Sequence, residues 1–279
     1  MQISSLYRIT SHKQIVEVDD ASTSTNKVSK QVLIFENELP DEATIEEFIK
    51  GTSAGIILLV DAFEKANYQA FDYFKGAEAN LKVVKTIELN NYFALLCVPG
   101  DYLTFYLGQE LTHHSKVFEI KVITLSDRAH RGIYKDESGP KATDMLTTYF
   151  KKIEKTAVVR NIIIQDDEEE LSALIEESVA EKTDIIVTTG GTGVSRRDIT
   201  VETVQKLIEK EIPGIMEMIR VKYGAKNPNA LLSKGIAGTI KRTLVYTLPG
   251  SEKAVEEYLN EIFLTLEHLI YMIHEIDIH

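Results

Sequence analysis

The sequence is poor in cysteine and in long apolar runs, and it carries no excess of positive charge. Its 279 residues include a single cysteine, Cys97, which excludes an internal disulfide framework and a metal site built from several thiolates. No apolar run approaches the roughly 20 residues that a transmembrane helix needs. The formal net charge is −12, from 31 basic and 43 acidic residues. This balance argues against general binding to nucleic acid or to an anionic membrane surface.

The N-terminal segment also lacks the features of a secretory signal. MQISSLYRIT has no basic region followed by a long apolar core. Cys97 lies in the apolar run YFALLCV, which favours a buried thiol in a reducing compartment. We therefore expect a cytoplasmic protein. Hydrophobic residues make up 44% of the chain and charged residues 27%, which is typical of a soluble globular protein with a substantial core.

A change in patterning near residues 112–118 predicts two domains, over residues 1–115 and 116–279. The first contains short apolar segments at 32–35, 55–60 and 92–98, separated by helix-like segments at 41–50 and 62–76. These segments favour a smaller α/β or α+β domain. Because no known catalytic spacing occurs in it, we interpret this part as an accessory domain of unassigned role.

The second domain alternates between apolar, β-branched runs and helical periodicity. The runs are FEIKVITL, AVVRNIII, DIIVTT and TLVYTL, at residues 118–125, 157–164, 184–189 and 243–248. Each has the length of a strand that is buried on both faces. Helical patterns fill the intervals, and a last helix is predicted to begin after the N-cap Ser251. The alternation predicts an α/β fold with three layers (αβα) and a mostly parallel sheet.

Open parallel sheets bind ligands at the carboxyl ends of their strands, so the residues that follow each predicted strand are the candidates. Ser126 and Asp127 follow the first strand, where they could also be simple turn and cap residues. Asp166 follows the second strand and opens the acidic run DDEEE. That run could cap a helix, or its first carboxylate could bind a metal.

The third and fourth strands are followed by glycine turns. TTGGTG at 188–193 places three glycines within four residues, which lets the backbone approach an anion closely. The loop is neither GxGxxG nor GxxxxGK[ST], so two common nucleotide motifs are excluded. Pro249, Gly250 and Ser251 follow the last strand. A phosphate-bearing ligand that faces Asp166 and Asp198 implies Mg²⁺ between them, a combination suited to phosphoryl or nucleotidyl transfer.

At these positions the sequence resembles the molybdopterin adenylyltransferase family of molybdenum-cofactor biosynthesis, the Mog/MoaB type. The resemblance covers about residues 116–279 and is most specific in TTGGTG followed by RRD. The other segments that carry it are SDRA at 126–129, DESGP at 136–140, QDDEEE at 165–170, PGIMEMIR at 213–220, ALLSKGIAG at 230–238 and LPGSEKAV at 248–255.

The resemblance implies a reaction and a set of site residues. The family transfers AMP from Mg-ATP to the terminal phosphate of molybdopterin and releases pyrophosphate. Asp166 and Asp198 would hold Mg²⁺ and orient the transfer. The remaining substrate-binding and nucleotide-binding candidates are Ser126, Asp127, Thr189, Gly190, Gly191, Thr192, Gly193, Ser233, Pro249, Gly250, Ser251 and Lys253. The resemblance also implies a homotrimer, and other proteins of cofactor biosynthesis are candidate partners.

Three departures from the family pattern keep two alternatives open. Gln165 replaces a proline, Met216 replaces a glycine that could admit a ligand, and Glu252 stands near the expected phosphate site. Met216 and Glu252 favour a non-catalytic protein that binds and carries molybdopterin, whereas Asp166 and Asp198 favour the enzyme. A pyrophosphatase that acts on a nucleotide diphosphate would use the same metal site with water as the nucleophile.

Overall fold

The computed structural model describes residues 4–18, 27–35, 56–61, 68–76, 79–89, 92–103 and 110–274. The chain divides into two compact units between Lys116 and Val117. Among the described residues, no helix combines the length and the apolar character that crossing a membrane requires.

The N-terminal unit contains a closed sheet of seven strands in the order β1-β2-β3-β6-β5-β4-β7, with β7 pairing back to β1. All neighbours are antiparallel except β2 and β3, which are parallel. The strands are β1 (Ser4–Val18), β2 (Lys27–Phe35), β3 (Ile56–Asp61), β4 (Tyr73–Lys75), β5 (Ala79–Leu89), β6 (Tyr92–Leu103) and β7 (Glu110–His114).

An apolar core fills this closed sheet and includes Cys97, whose thiol is fully buried as predicted. Burial raises the pKa of the Cys97 thiol far above its usual range, so the group is a neutral core side chain. His113 and Asp72 are also buried, with Nε2 of the imidazole 2.9 Å from Oδ2 of the carboxylate. The unit therefore has a core of its own.

The prediction of a helix at residues 62–76 is wrong for the part of this segment that the structure describes. Residues 68–76 of the helix-like segment 62–76 form a turn and strand β4 instead. Phe71 has a φ of +79°, which an α-helix does not allow, and β4 pairs with both β5 and β7. Sheet pairing has overridden local helix propensity. Residues 62–67 and the other helix-like segment, 41–50, lie outside the described residues.

The C-terminal unit has a six-stranded sheet in the order β11-β12-β13-β10-β8-β9. Strands β8, β9, β10 and β13 are mutually parallel, while β12 and β11 extend the sheet in antiparallel fashion. The strands are β8 (Val117–Leu125), β9 (Thr156–Ile164), β10 (Ile185–Thr189), β11 (Lys210–Glu211), β12 (Ala237–Ile240) and β13 (Thr243–Leu248).

Helices cover both faces of this sheet, which confirms the predicted three-layer αβα fold. They are α1 (Asp127–His130), α2 (Ser138–Lys152), α3 (Glu168–Ala180), α4 (Thr200–Leu207), α5 (Pro213–Gly224) and α6 (Glu252–Ile273), with a 3₁₀ turn at Pro228–Leu232. On one face, α3 and α4 pack onto the sheet through a cluster that includes Leu171, Ile175 and Val204. On the other face, α2 packs against β8, and the ring centroids of Phe150 and Phe118 lie 5.2 Å apart.

Burial of the strands agrees with the sequence prediction in the centre of the sheet and not at its edge. Every residue of β10 and β13 is buried, as expected for strands covered on both faces. In β9, by contrast, Ile164 alone is buried. The prediction of a strand buried on both faces is wrong for β9, because β9 is the edge strand and pairs with β8 alone.

Candidate functional site

The carboxyl ends of four parallel strands meet at one edge of the C-terminal sheet. Leu125 pairs with Ile164 across β8 and β9, and Thr189 pairs with Thr124 on one side and Leu248 on the other. The residues that follow these positions therefore share one edge, where parallel sheets bind ligands. The structure brings the candidates predicted after each strand together.

The glycine-rich loop after β10 adopts a conformation that requires glycine. Gly190 and Gly191 have φ angles of +95° and +63°, in the region that other residues rarely adopt. A Cβ atom on Gly190 would lie 2.4 Å from the carbonyl oxygen of Leu125. The Gly190 N–H donates to the Leu248 carbonyl at 3.0 Å, and Thr200 Oγ1 donates to the Gly190 carbonyl at 2.9 Å. The loop is thus fixed between two strand ends and the first residue of α4.

The second half of the loop turns around Asp198. Its Oδ2 accepts from the Ser195 N–H at 2.7 Å, and its own N–H donates to the Ser195 carbonyl at 3.0 Å. A Cβ on Gly193 would lie 2.8 Å from Oδ2 of Asp198, so this glycine also leaves room for the carboxylate. The hydroxyl oxygens of Thr192 and Ser233 lie 3.5 Å apart.

Asp127 and Asp166 face each other across the ends of β8 and β9. The Asp127 N–H donates to Oδ2 of Asp166, and the Asp166 N–H donates to Oδ1 of Asp127, both at 3.4 Å. Burial raises the pKa of Asp166, and the charges of Asp127 and Asp198 raise it further, outweighing the lowering by the Asp127 hydrogen bond and by Arg197.

Helix α3 is capped by the next residue of the acidic run. Asp167 Oδ1 accepts from the Glu170 N–H at 2.8 Å, which is the usual N-cap hydrogen bond. Capping therefore accounts for Asp167 and leaves the Asp166 carboxylate directed to the strand ends.

Mg²⁺ fits the chemistry of this carboxylate set when a phosphate completes it. Among the residues that the structure describes, no group of three histidine, cysteine or acidic side chains is arranged to hold a metal alone. Mg²⁺ commonly binds through one or two carboxylates together with substrate phosphates and water. The raised pKa of Asp166 reflects in part uncompensated negative charge, which a divalent cation would neutralise.

Two cavities meet at the turn between β13 and α6. The first has a volume of about 500 Å³ and the second of about 330 Å³, and they share Gly250 and Ser251. The first is lined by Gly191, Thr192, Gly193, Asp198, Tyr223, Lys226, Asn227, Asn229, Ala230, Leu232, Ser233, Pro249, Gly250, Ser251, Lys253, Ala254, Glu257 and Tyr258. The second is lined by Thr124, Leu125, Ser126, Arg128, Ala129, Tyr134, Asp136, Glu137, Ser138, Gly250, Ser251 and Glu252.

The predicted residues divide between the cavities and the structure around them. Ser126 caps α1, accepting from the Ala129 N–H at 3.2 Å, and also lines the second cavity. Ser251 caps α6, accepting from the Ala254 N–H at 3.3 Å, and lines both cavities. Four of the predicted site residues line neither cavity: Asp127, Asp166, Thr189 and Gly190.

Lys253 is largely exposed, and its Nζ lies 3.8 Å from Oε1 of Glu257. Glu252 lines the second cavity, at the N-terminal end of α6. Met216 is not at the site: it is 1% exposed within α5 and lines neither cavity. The expectation that Met216 takes the place of a glycine that admits a ligand is therefore wrong, because its side chain fills the core.

Sequence reasoning left Asp136 without a role, although its motif DESGP was recognised. Its carboxylate accepts from Thr124 Oγ1 at 2.8 Å, from Ser138 Oγ at 3.0 Å and from the Gly139 N–H at 3.0 Å. Burial acts to raise the pKa of Asp136, but the lowering by these hydrogen bonds is larger in sum, so the pKa lies below its usual range. Asp136 thus anchors the start of α2 beside the second cavity.

The wall of the first cavity between α5 and the 3₁₀ turn was also missed. Its members are Tyr223, Lys226, Asn227, Asn229 and Leu232. The first four follow the recognised segment PGIMEMIR, and Leu232 lies within the recognised segment ALLSKGIAG, but no spacing rule marks any of them as a ligand-binding residue.

Comparison with known proteins identifies relatives of the C-terminal unit. A family model described as "Probable molybdopterin binding domain" matches residues 121–268. Molybdenum cofactor biosynthesis protein B of Staphylococcus carnosus (strain TM300) is 35% identical over 153 residues, covering 54% of this chain and 87% of that protein. Molybdopterin adenylyltransferase of Helicobacter pylori (strain ATCC 700392 / 26695) is 32% identical over 158 residues, covering 57% of this chain and 89% of that protein.

Solved structures agree with these relatives. The crystal structure of the molybdopterin biosynthesis enzyme MoaB from Thermus thermophilus superposes with a TM-score of 0.50 at 29% identity, covering 57% of this chain and 97% of that chain. The molybdopterin biosynthesis Mog protein from Mycobacterium ulcerans gives a TM-score of 0.50 at 28% identity, covering 56% and 99%. With the family model matching more than half of its residues, the chain belongs to the Mog/MoaB-like family of molybdopterin-binding-domain proteins.

Proposed function

We propose that this chain acts in molybdenum cofactor biosynthesis as a molybdopterin adenylyltransferase. In this reaction an oxygen of the terminal phosphate of molybdopterin attacks the α-phosphorus of ATP, and the bond to the β-phosphate breaks. The products are adenylyl-molybdopterin and pyrophosphate. The relatives named molybdopterin adenylyltransferase support this assignment.

The observation that carries the proposal is the geometry of the glycine loop after β10. Gly190 and Gly191 have positive φ angles, Asp198 accepts a hydrogen bond from the second half of the loop, and Asp166 follows β9 at the same edge of the sheet. The loop from Thr189 to Gly193 would receive phosphate on its backbone, with Thr192 and Gly193 facing the first cavity. Asp166 and Asp198 would hold Mg²⁺, which neutralises phosphate charge during the transfer.

The chain's own residues otherwise bind and orient the substrates. Ser233, Pro249, Gly250, Ser251 and Lys253 line the first cavity, as expected for residues that contact the pterin and the nucleotide. A phosphate nucleophile is already ionised at neutral pH, so the reaction needs no general base. Positioning and charge neutralisation are then the main contributions of the site.

The test is pyrophosphate release from Mg-ATP that depends on added molybdopterin. We expect Asp166→Ala and Asp198→Ala each to lower the rate about 100-fold or more, because each removes a ligand of the cation. Asp144 is an exposed aspartate on α2, so Asp144→Ala is the matched control and should keep the wild-type rate within about twofold.

Three other outcomes would contradict the proposal. Tight binding of molybdopterin without pyrophosphate release would identify a carrier, the alternative that Glu252 in the second cavity favours. Release of AMP from a diphosphate without transfer would identify a pyrophosphatase. Equal rates in all three variants would remove the two aspartates from the mechanism. The homotrimer, the cytoplasmic location and other cofactor-biosynthesis proteins as partners stay predictions.

A further inference from the structure

One wall of the first cavity carries an aromatic ring and a positive charge side by side. Tyr223 lies near the end of α5 and Lys226 just beyond that helix, and both line the first cavity. The Lys226 ammonium lies 5.8 Å from the centroid of the Tyr223 ring, within the range of a cation–π contact. A flat, anionic ligand could stack on this ring and place its negative charge next to this ammonium group.

The Tyr223 ring is held in place from behind by α6. Its hydroxyl donates to Oε1 of Glu261 at 2.9 Å, and Lys222 Nζ donates to the same oxygen at 2.6 Å. Glu261 is 5% exposed, so this carboxylate is buried and satisfied by two partners. Partial burial and the neighbouring Glu261 raise the pKa of Tyr223 to about 12, so its phenol stays a neutral donor at physiological pH.

The two lysines beside the ring differ in their pairing. Lys222 forms an ion pair with Glu261, so its charge is largely balanced. Among the residues that the structure describes, no carboxylate lies within ion-pair distance of Lys226, and its side chain is exposed at the cavity. Lys226 therefore has a positive charge available for an anion that enters the first cavity.

We propose that Tyr223 is a substrate-binding residue whose ring stacks on the nitrogen heterocycle of a phosphorylated substrate, while Lys226 contacts its phosphate. Glu261 and Lys222 are positioning residues that fix the plane of the ring. This inference rests on the proposed function, which supplies two such heterocycles, the adenine of ATP and the pterin of molybdopterin. The cavity volume of about 500 Å³ is within the usual range for small-molecule sites.

The inference is tested by calorimetric binding with three ligands and four forms of the full chain. The ligands are a non-hydrolysable Mg-ATP analogue, molybdopterin, and inorganic triphosphate, which has no ring. The forms are wild type, Tyr223→Phe, Tyr223→Leu and Lys226→Ala. We expect Tyr223→Leu to raise the Kd of one ring-bearing ligand about 10-fold, the loss expected for a stacked ring, and to leave the Kd of triphosphate unchanged.

Tyr223→Phe keeps the ring and should bind the same ligand within about threefold of wild type. The ligand whose Kd changes identifies the heterocycle, adenine or pterin. Lys226→Ala should weaken that ligand as well, with an effect that shrinks as salt concentration rises. Thermal unfolding of each variant confirms that the fold is kept.

Unchanged binding of both ring-bearing ligands in Tyr223→Leu would overturn the inference, as would an equal loss for triphosphate or wild-type protein that binds neither ring. Failure of the proposed function is distinguishable from these outcomes. A chain that binds one heterocycle through Tyr223 but releases no pyrophosphate supports the inference and contradicts only the adenylyl transfer.

Discussion

Two aspartates near the ends of β8 and β9 have opposite electrostatic environments. Asp136 accepts hydrogen bonds from Thr124, Ser138 and Gly139, and its pKa is lowered although burial opposes the shift. Asp166 is partly buried beside Asp127 and Asp198, and its pKa is raised. The charge of the first carboxylate is stabilised by the protein, and the charge of the second is disfavoured by burial and by its acidic neighbours.

This contrast predicts opposite effects of neutralising each carboxylate on the free energy of unfolding. At pH 7, without Mg²⁺ or nucleotide, Asp136→Asn should be less stable than wild type by on the order of 1 kcal/mol, because it loses charge-assisted hydrogen bonds. Asp166→Asn should be slightly more stable than wild type, by less than about 1 kcal/mol, since the variant removes a charge that burial, and secondarily repulsion by its neighbours, disfavours. Urea unfolding measures both differences.

The pH dependence separates the two cases. Because the pKa of Asp166 is raised in the folded state, wild type loses stability as the pH rises above the unfolded-state pKa near 3.8. Asp166→Asn does not have this loss, so its stability advantage over wild type should shrink strongly from pH 7 to pH 4. A lowered folded-state pKa contributes stability that is lost only below that value, so the deficit of Asp136→Asn should largely remain at pH 4. Parallel behaviour of the two variants would contradict this assignment.

The candidate site residues that sequence reasoning proposed are those that a local pattern marks. Strand ends can be predicted from apolar runs. Gly190 and Gly191 directly follow β10, Asp166 lies just after β9, and Asp198 lies later in the loop that the glycines begin. Tyr223 could not be found this way, because its place in the cavity depends on the contact of α5 with Glu261 on α6. Met216 was misassigned for a similar reason: only packing shows that it fills the core.

At the level of elements, the parallel strands and their helices were predictable, and the exceptions have physical causes. The central strands β10 and β13 are continuous apolar runs because both of their faces are covered. Strands β11 and β12, of two and four residues, are too short for a periodic signal, and they extend the sheet by antiparallel pairing. Strand β4 likewise depends on its partners β5 and β7.

The start of α3 offers a direct test of which acidic residue supports the helix. Asp167→Ala removes the acceptor for the Glu170 N–H and should lower the free energy of unfolding by about 1 kcal/mol. Asp167→Asn keeps an acceptor at the same position and should stay within a few tenths of a kcal/mol of wild type. Chemical denaturation measures both variants. A loss in Asp167→Asn equal to that in Asp167→Ala would show that charge, and not the cap, stabilises α3.

At the scale of the whole molecule, the family resemblance belongs to one of two units. The family model lies within the C-terminal unit, at residues 121–268. The relatives from S. carnosus and H. pylori are matched over 87% and 89% of their own lengths by little more than half of this chain. The described part of the C-terminal unit contains its own core, the glycine loop, both aspartates and both cavities.

A fragment that begins at Val117 and runs to the end of the sequence should therefore fold and keep the proposed activity. We expect cooperative thermal unfolding and molybdopterin-dependent pyrophosphate release within about threefold of the full chain, since the proposed catalytic and binding residues all lie in this unit. The matched control is the same fragment with Asp198→Ala, which should lose the activity as the full-length variant does. A folded fragment that binds both substrates but releases no pyrophosphate would show that residues 1–116 contribute to the reaction itself. In that case the N-terminal unit would be a part of the enzyme and not an accessory domain.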